Sequence, residues 1–93
     1  MKNQAKGTLY HANGTIEPKQ FNGNLVTLQE LQDCVGGYVE FIYLENNQIL
    51  VVNEEGKINN LQYNPLATNL AINSNSVDYI VGNALLIDLR FID

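Results

Sequence analysis

His11 and Cys34 are the only histidine and the only cysteine of this chain, and with the adjacent pair Glu54-Glu55 they are its most reactive side chains. A cysteine beside a histidine makes a nucleophile and its base. That pairing would require the segments around residues 11 and 34 to meet, and nothing in the spacing demands it. One histidine and one cysteine cannot build a zinc site without carboxylates, and no metal-ligand spacing is visible. Glu54-Glu55 could hold a cation or a general base. The calcium-loop alternation of Asp and Asn with a terminal Glu is absent, however, and adjacent glutamates in a turn read first as solvated. No phosphate loop, nucleophile elbow or dinucleotide fingerprint occurs, and Gly36-Gly37 alone is too common to count as one. The chain nominates no catalytic residue, metal ligand or cofactor, and is expected not to be an enzyme.

Recognition is the better opening. Five tyrosines, Tyr10, Tyr38, Tyr43, Tyr63 and Tyr79, are many for 93 residues. A tyrosine on a strand usually buries its ring and keeps its hydroxyl at the rim. A subset exposed on one face would form an interface or stack on a ligand base. The candidate binding residues are Tyr38, Tyr43, Asn53, Glu54, Glu55, Tyr63 and Asn64.

The elements that must position them follow from pattern. Gly7–Ala12 and Thr15–Glu17 flank Asn13-Gly14, a pair suited to a type I′ hairpin turn, and Pro18 should end the second strand or place it at a sheet edge. Thr27-Leu28-Gln29-Glu30 has the form of a capping box, with Val26 and Leu31 at the staple positions. Leu28, Leu31 and Val35 share a helical face and Gly36 is a stop, which predicts a helix over 28–35 with Cys34 packed beside that face. Tyr38–Leu44 and Gln48–Val52 are apolar runs around Glu45-Asn46-Asn47, a second hairpin whose strands should be buried on much of both faces. A polar turn over Asn53–Lys57 follows, with Gly56 free to take positive φ. Asn64-Pro65 starts a second helix with Leu66, Ala67 and Leu70 inward, fading by Ile72. After a loop over Asn73–Ser76, Val77–Val81 and Ala84–Leu89 make one strand bent at Gly82-Asn83, or two short ones. The fold expected is α+β: an antiparallel sheet of about five strands built from hairpins, with one or two short helices packed on one face. It forms a single domain over 1–93, with 1–6 flexible.

Composition bounds the function. The net charge is −5. Lys2, Lys6 and Lys19 crowd the first fifth, and from Phe21 to Leu89 the only base is Lys57. Without a basic patch no counterion release drives binding to phosphate backbones, so nucleic acid is not an expected partner. The carboxylates are too scattered for a DNA mimic and read as a solvated surface. A polar N-terminus and the lack of any long apolar run predict a soluble, cytoplasmic protein with no membrane partner. A lone cysteine fits a reducing compartment, and a sheet this small would gain from self-association covering its edges.

Val35-Gly36-Gly37-Tyr38-Val39-Glu40, Ile49–Lys57, Leu61-Gln62-Tyr63-Asn64-Pro65-Leu66-Ala67-Thr68 and Val81-Gly82-Asn83 occur in an order that resembles domain-of-unknown-function family 3846, over about residues 7 to 88. Where relatives often carry Gly-Asp, this chain has Gly82-Asn83. The resemblance brings no catalytic residues. It implies a bacteriophage, plasmid or other mobile element and the cytoplasm of a bacterial host. In that setting the chain reads as an accessory protein that binds a host protein, such as a defence component, and inhibits it by contact. Two alternatives stand beside this: an oligomeric binder that sequesters a small nucleotide signal, and a structural or regulatory domain without ligand.

Overall fold

The chain runs β1 (Lys6–Tyr10), β2 (Ile16–Gln20), α1 (Leu28–Val35), β3 (Val39–Tyr43), β4 (Gln48–Asn53), α2 (Pro65–Leu70) and β5 (Ala84–Asp88), followed by a 3₁₀ turn at Leu89–Phe91. The computed structural model describes residues 4–72 and 79–92. All five strands join one antiparallel sheet in the order β2-β1-β5-β4-β3, so the fold is α+β as expected. Two local hairpins form its halves, and β5 enters between them, pairing with β1 on one side and β4 on the other.

Local chemistry explains most of the boundaries. Thr27 accepts from the Glu30 N–H (3.1 Å) while the Glu30 carboxylate accepts from the Thr27 N–H (2.9 Å), closing the capping box. Gly36 ends α1 in the left-handed region at φ 79°. The β3–β4 turn places Asn46 and Asn47 at φ 62° and 60°, the consecutive left-handed pair that a type I′ turn requires and asparagine tolerates. The first hairpin turns differently from expectation: only Gly14 is left-handed, at φ 95°, while Asn13 is not. The His11 C=O accepts from the Gly14 N–H (2.9 Å) and the His11 N–H donates to the Thr15 C=O (2.8 Å), so the loop is wider than a two-residue turn.

The sheet is covered on both faces, and here the expectation of helices on one face is corrected. Leu31, Cys34 and Val35 of α1 pack with Leu9, Ile49, Val51, Leu85 and Ile87. Ala67 and Ala71 of the α2 segment, with Ile80, cover Leu50, Val52 and Ala84 on the other side. The reason is visible in β4, which is apolar at both parities, so neither face tolerates water. Ile49, Leu50, Val51, Leu85 and Ile87 are fully buried, and the two central strands hold the core.

Four smaller readings also change. Leu28 is 60% exposed rather than on the inner face of α1, whose third buried residue is Cys34. Leu66 is half-buried, and the inner face of the second helix is completed by Ala71 instead. Gly56 does not take positive φ; a Cβ there would stand 2.8 Å from Val81 Cγ2, so glycine supplies space. Of the residues 1–6 expected to be flexible, Ala5 is buried and donates to the Gly23 C=O and Lys6 opens β1. Asn73–Ser76 and Val77-Asp78 lie outside the described residues; Val81 makes an isolated bridge with Tyr63, separate from β5.

Candidate functional site

β3 is an edge strand, and its hydrogen bonding leaves one side open. The Leu44 N–H donates to the Gln48 C=O (2.9 Å) at one end of the hairpin and the Glu54 N–H to the Tyr38 C=O (2.8 Å) at the other. With the register between them, even-numbered residues of β3 bond to β4. Val39, Phe41 and Tyr43 therefore turn their N–H and C=O groups outward. The opposite edge, β2, is built differently. Its pairing places Ile16, Pro18 and Gln20 outward, and Pro18 carries no N–H to offer. Proline in the middle of an edge strand blunts it against added strands; β3 has no such guard.

Exposed side chains surround the open edge. Tyr38 and Tyr43, at its two ends, are 63% and 64% exposed. On the α1 side, Phe41 joins Leu25, Leu28, Leu31 and Ile92 in lining an apolar groove of about 470 Å³. Glu40, Glu45, Glu54 and Glu55 are all exposed on this half of the sheet. The nearest base in sequence, Lys57, lies over the Tyr79 ring at 4.1 Å. The open edge thus has an apolar centre, aromatic ends and a charged rim.

The sequence-predicted site residues divide into four groups. Tyr38, Asn53 and Glu55 line one polar cleft of about 500 Å³ together with Asp33, Gly36 and Gly37, and Glu54 adjoins it through its bond to Tyr38. Within this group Asn53 is a strut: its Nδ2 donates to the Val35 C=O (3.1 Å) and its Oδ1 accepts from the Glu55 N–H (2.8 Å). Gly37 makes room for it, since a Cβ there would lie 2.9 Å from Asn53 Nδ2. Tyr43 stands apart at the far end of β3. Tyr63 forms a separate cluster with Tyr79, ring centroids 6.3 Å apart. Asn64 is fully buried: Nδ2 donates to the Tyr10 and Gly82 carbonyls (2.9 and 2.8 Å) and Oδ1 accepts from the Ala67 N–H (3.0 Å). It caps α2, both its donors are used, and it has no exposed surface to offer a ligand.

The reactive side chains are not assembled. His11 pairs with Glu17, Nε2 to Oε1 at 2.7 Å, and this hydrogen bond holds the Glu17 carboxyl below its ordinary value. Cys34 is buried on the sheet-facing side of α1, and burial pushes its thiol up, away from the nucleophilic thiolate. Among the described residues no three His, Cys, Asp or Glu side chains gather as a metal site, and no helix is long and apolar enough to cross a membrane.

The model of a domain of unknown function, DUF3846, matches residues 6–90. The chain belongs to that family. The DUF3846 match runs from the start of β1 into the 3₁₀ turn and so takes in all five strands, the β3 edge and the groove beside it. No curated protein and no solved structure matches the chain. The residues missed in the sequence are Leu25, Leu28, Phe41 and Ile92. Of these the sequence singles out only Leu28 by its helical spacing, and for the inner face of α1 rather than for an exposed groove.

Proposed function

We propose that this DUF3846 domain is a small, non-catalytic accessory protein of a bacteriophage or other mobile element. It acts in the cytoplasm of a bacterial host by binding a host protein, a component of defence, through the β3 edge. The observation that carries this reading is the contrast between the two sheet edges: β2 is closed by Pro18, whereas β3 offers three consecutive outward positions beside an exposed apolar groove. An extended segment of the partner would add as a sixth strand, exchanging main-chain hydrogen bonds with Val39, Phe41 and Tyr43. Apolar side chains at alternate positions would enter the groove at Phe41. Lysines or arginines at its flanks would meet Glu40, Glu45, Glu54 and Glu55, which steers association and selects against acidic segments.

The test is capture from host lysate with the native chain and with Tyr43→Pro. That substitution deletes one outward N–H and one exposed ring while leaving the β3–β4 bonds in place. The native chain should retain a specific protein and protect phage in a challenge assay, and the variant should do neither. Recovery of no specific partner with no phenotype, or equal capture by the variant, would overturn the proposal. A second copy of this chain found on the edge would likewise replace the host protein as its occupant.

A further inference from the structure

A cleft of about 800 Å³ lies away from the β3 edge, lined by residues of β1, β2 and β5, the start of β4 and the 3₁₀ turn. Its construction follows from register. Gln20 pairs with Lys6 across β2–β1, and Asp88 pairs with Gln48 across β5–β4. One step beyond the Gly7–Ile87 pair, Lys6 stands opposite Asp88. Gln20, Lys6, Asp88 and Gln48 therefore form one row across four strands. At about 4.8 Å per strand spacing the row spans roughly 14 Å. The next row on the same face, Pro18, Thr8 and Leu86, gives the cleft a partly apolar floor.

This acidic protein has five basic residues, and the cleft is lined by three of them, Lys6, Lys19 and Arg90. Lys19 is 3.9 Å from Glu17. Among the described residues neither Lys6 nor Arg90 forms an ion pair with a carboxylate. The Arg90 guanidinium is held over the Phe91 ring at 4.7 Å, which orders it without consuming its donors. The one carboxylate in the row, Asp88, accepts from the Arg90 N–H (2.9 Å) to cap the 3₁₀ turn. Asp88 lines the cleft, and its second oxygen has the chemistry to accept a further hydrogen bond.

We propose that this cleft binds a small phosphate-bearing molecule with a flat body and free hydroxyls, the chemical class of the nucleoside monophosphates. Lys6 and Arg90 hold the phosphate, Asp88 accepts from a hydroxyl, the flat body lies on Leu86 and Pro18, and the Gln20 and Gln48 amides reach its edges. The volume falls within the range of small-molecule sites. The absence of a long basic track agrees with a single phosphate rather than a nucleic-acid backbone.

Isothermal titration of the whole chain with AMP, GMP and UMP, and with inorganic phosphate and adenosine as separate arms, tests this. At least one nucleotide should bind more tightly than either phosphate or adenosine. The pair of substitutions Lys6→Gln and Arg90→Gln should weaken it by about tenfold or more, equivalent to about 1.4 kcal/mol, while Lys57→Gln leaves it unchanged. Binding should survive Tyr43→Pro, which separates this site from the β3 edge. No heat from any nucleotide at millimolar concentration, phosphate binding as well as the nucleotides, or an unaltered affinity in the Lys6/Arg90 variant would each overturn the proposal.

Discussion

Three buried or paired side chains carry consequences that can be measured one residue at a time. Asn64 satisfies two carbonyls from distant segments and one helix N–H, all in a site without exposure. Asn64→Ala removes the cap and strands both carbonyls, and should cost about 3 kcal/mol in urea unfolding. Its helix-capping role is legible in Asn64-Pro65; its bridge from β1 to Gly82 is not, because those carbonyls come from chain segments more than a dozen residues away in either direction. Cys34 should resist a thiol reagent at neutral pH in the native protein and react once urea unfolds it, since burial both shields the sulfur and raises its pKa. Glu17 shows the opposite shift. Its folded pKa lies below the unfolded one, so its contact with His11 adds stability above the ordinary carboxylate range. That contribution disappears as pH falls through the folded value. The urea midpoint of Glu17→Gln should therefore fall less steeply with acid than that of the native chain.

At the scale of elements, α1 was readable almost to the residue because its signals are local: a capping box, a staple and a left-handed glycine, all within a dozen positions. Thr27→Ala should cost about 1 kcal/mol, measured by urea unfolding, by freeing the Glu30 N–H. The outward direction of Leu28 was not readable, because which stripe of a short helix faces the sheet depends on how the helix crosses it. The strand edges show the same limit. Pro18 announces an edge by itself, and β2 is one. Nothing in Val39–Tyr43 says that β3 is the other edge; as a near-continuous apolar run it has the composition of an interior strand. If the open edge is the binding surface, raising salt from 0.1 M to 0.5 M should weaken partner capture through the glutamate rim without abolishing it. The main-chain bonds and the groove contacts are far less screened.

Across the whole molecule the decisive element is β5, which joins two hairpins that have no strand pairing with each other. Leu85→Ala, in its fully buried centre, should cost about 2–5 kcal/mol in urea unfolding. A chain ended at Val81 should show no cooperative thermal transition by circular dichroism, since each hairpin alone is too small to stand. The distribution of charge is also a property of the assembled sheet: glutamates gather around β3 and β4, while Lys6, Lys19 and Arg90 converge on the cleft at the β1 and β5 side. By itself the sequence determined most of the elements, the caps of both helices, the asparagine turn between β3 and β4 and the α+β class, because each depends on residue types a few positions apart. The tertiary structure decided the rest: that the helices lie on opposite faces, that Asn53 and Asn64 brace distant backbone segments, that β3 is an open edge, and that residues 6 and 90 share a cleft. Those outcomes depend on where β5 inserts, and insertion is set by burying two apolar faces at once, a condition that no local stretch of sequence records.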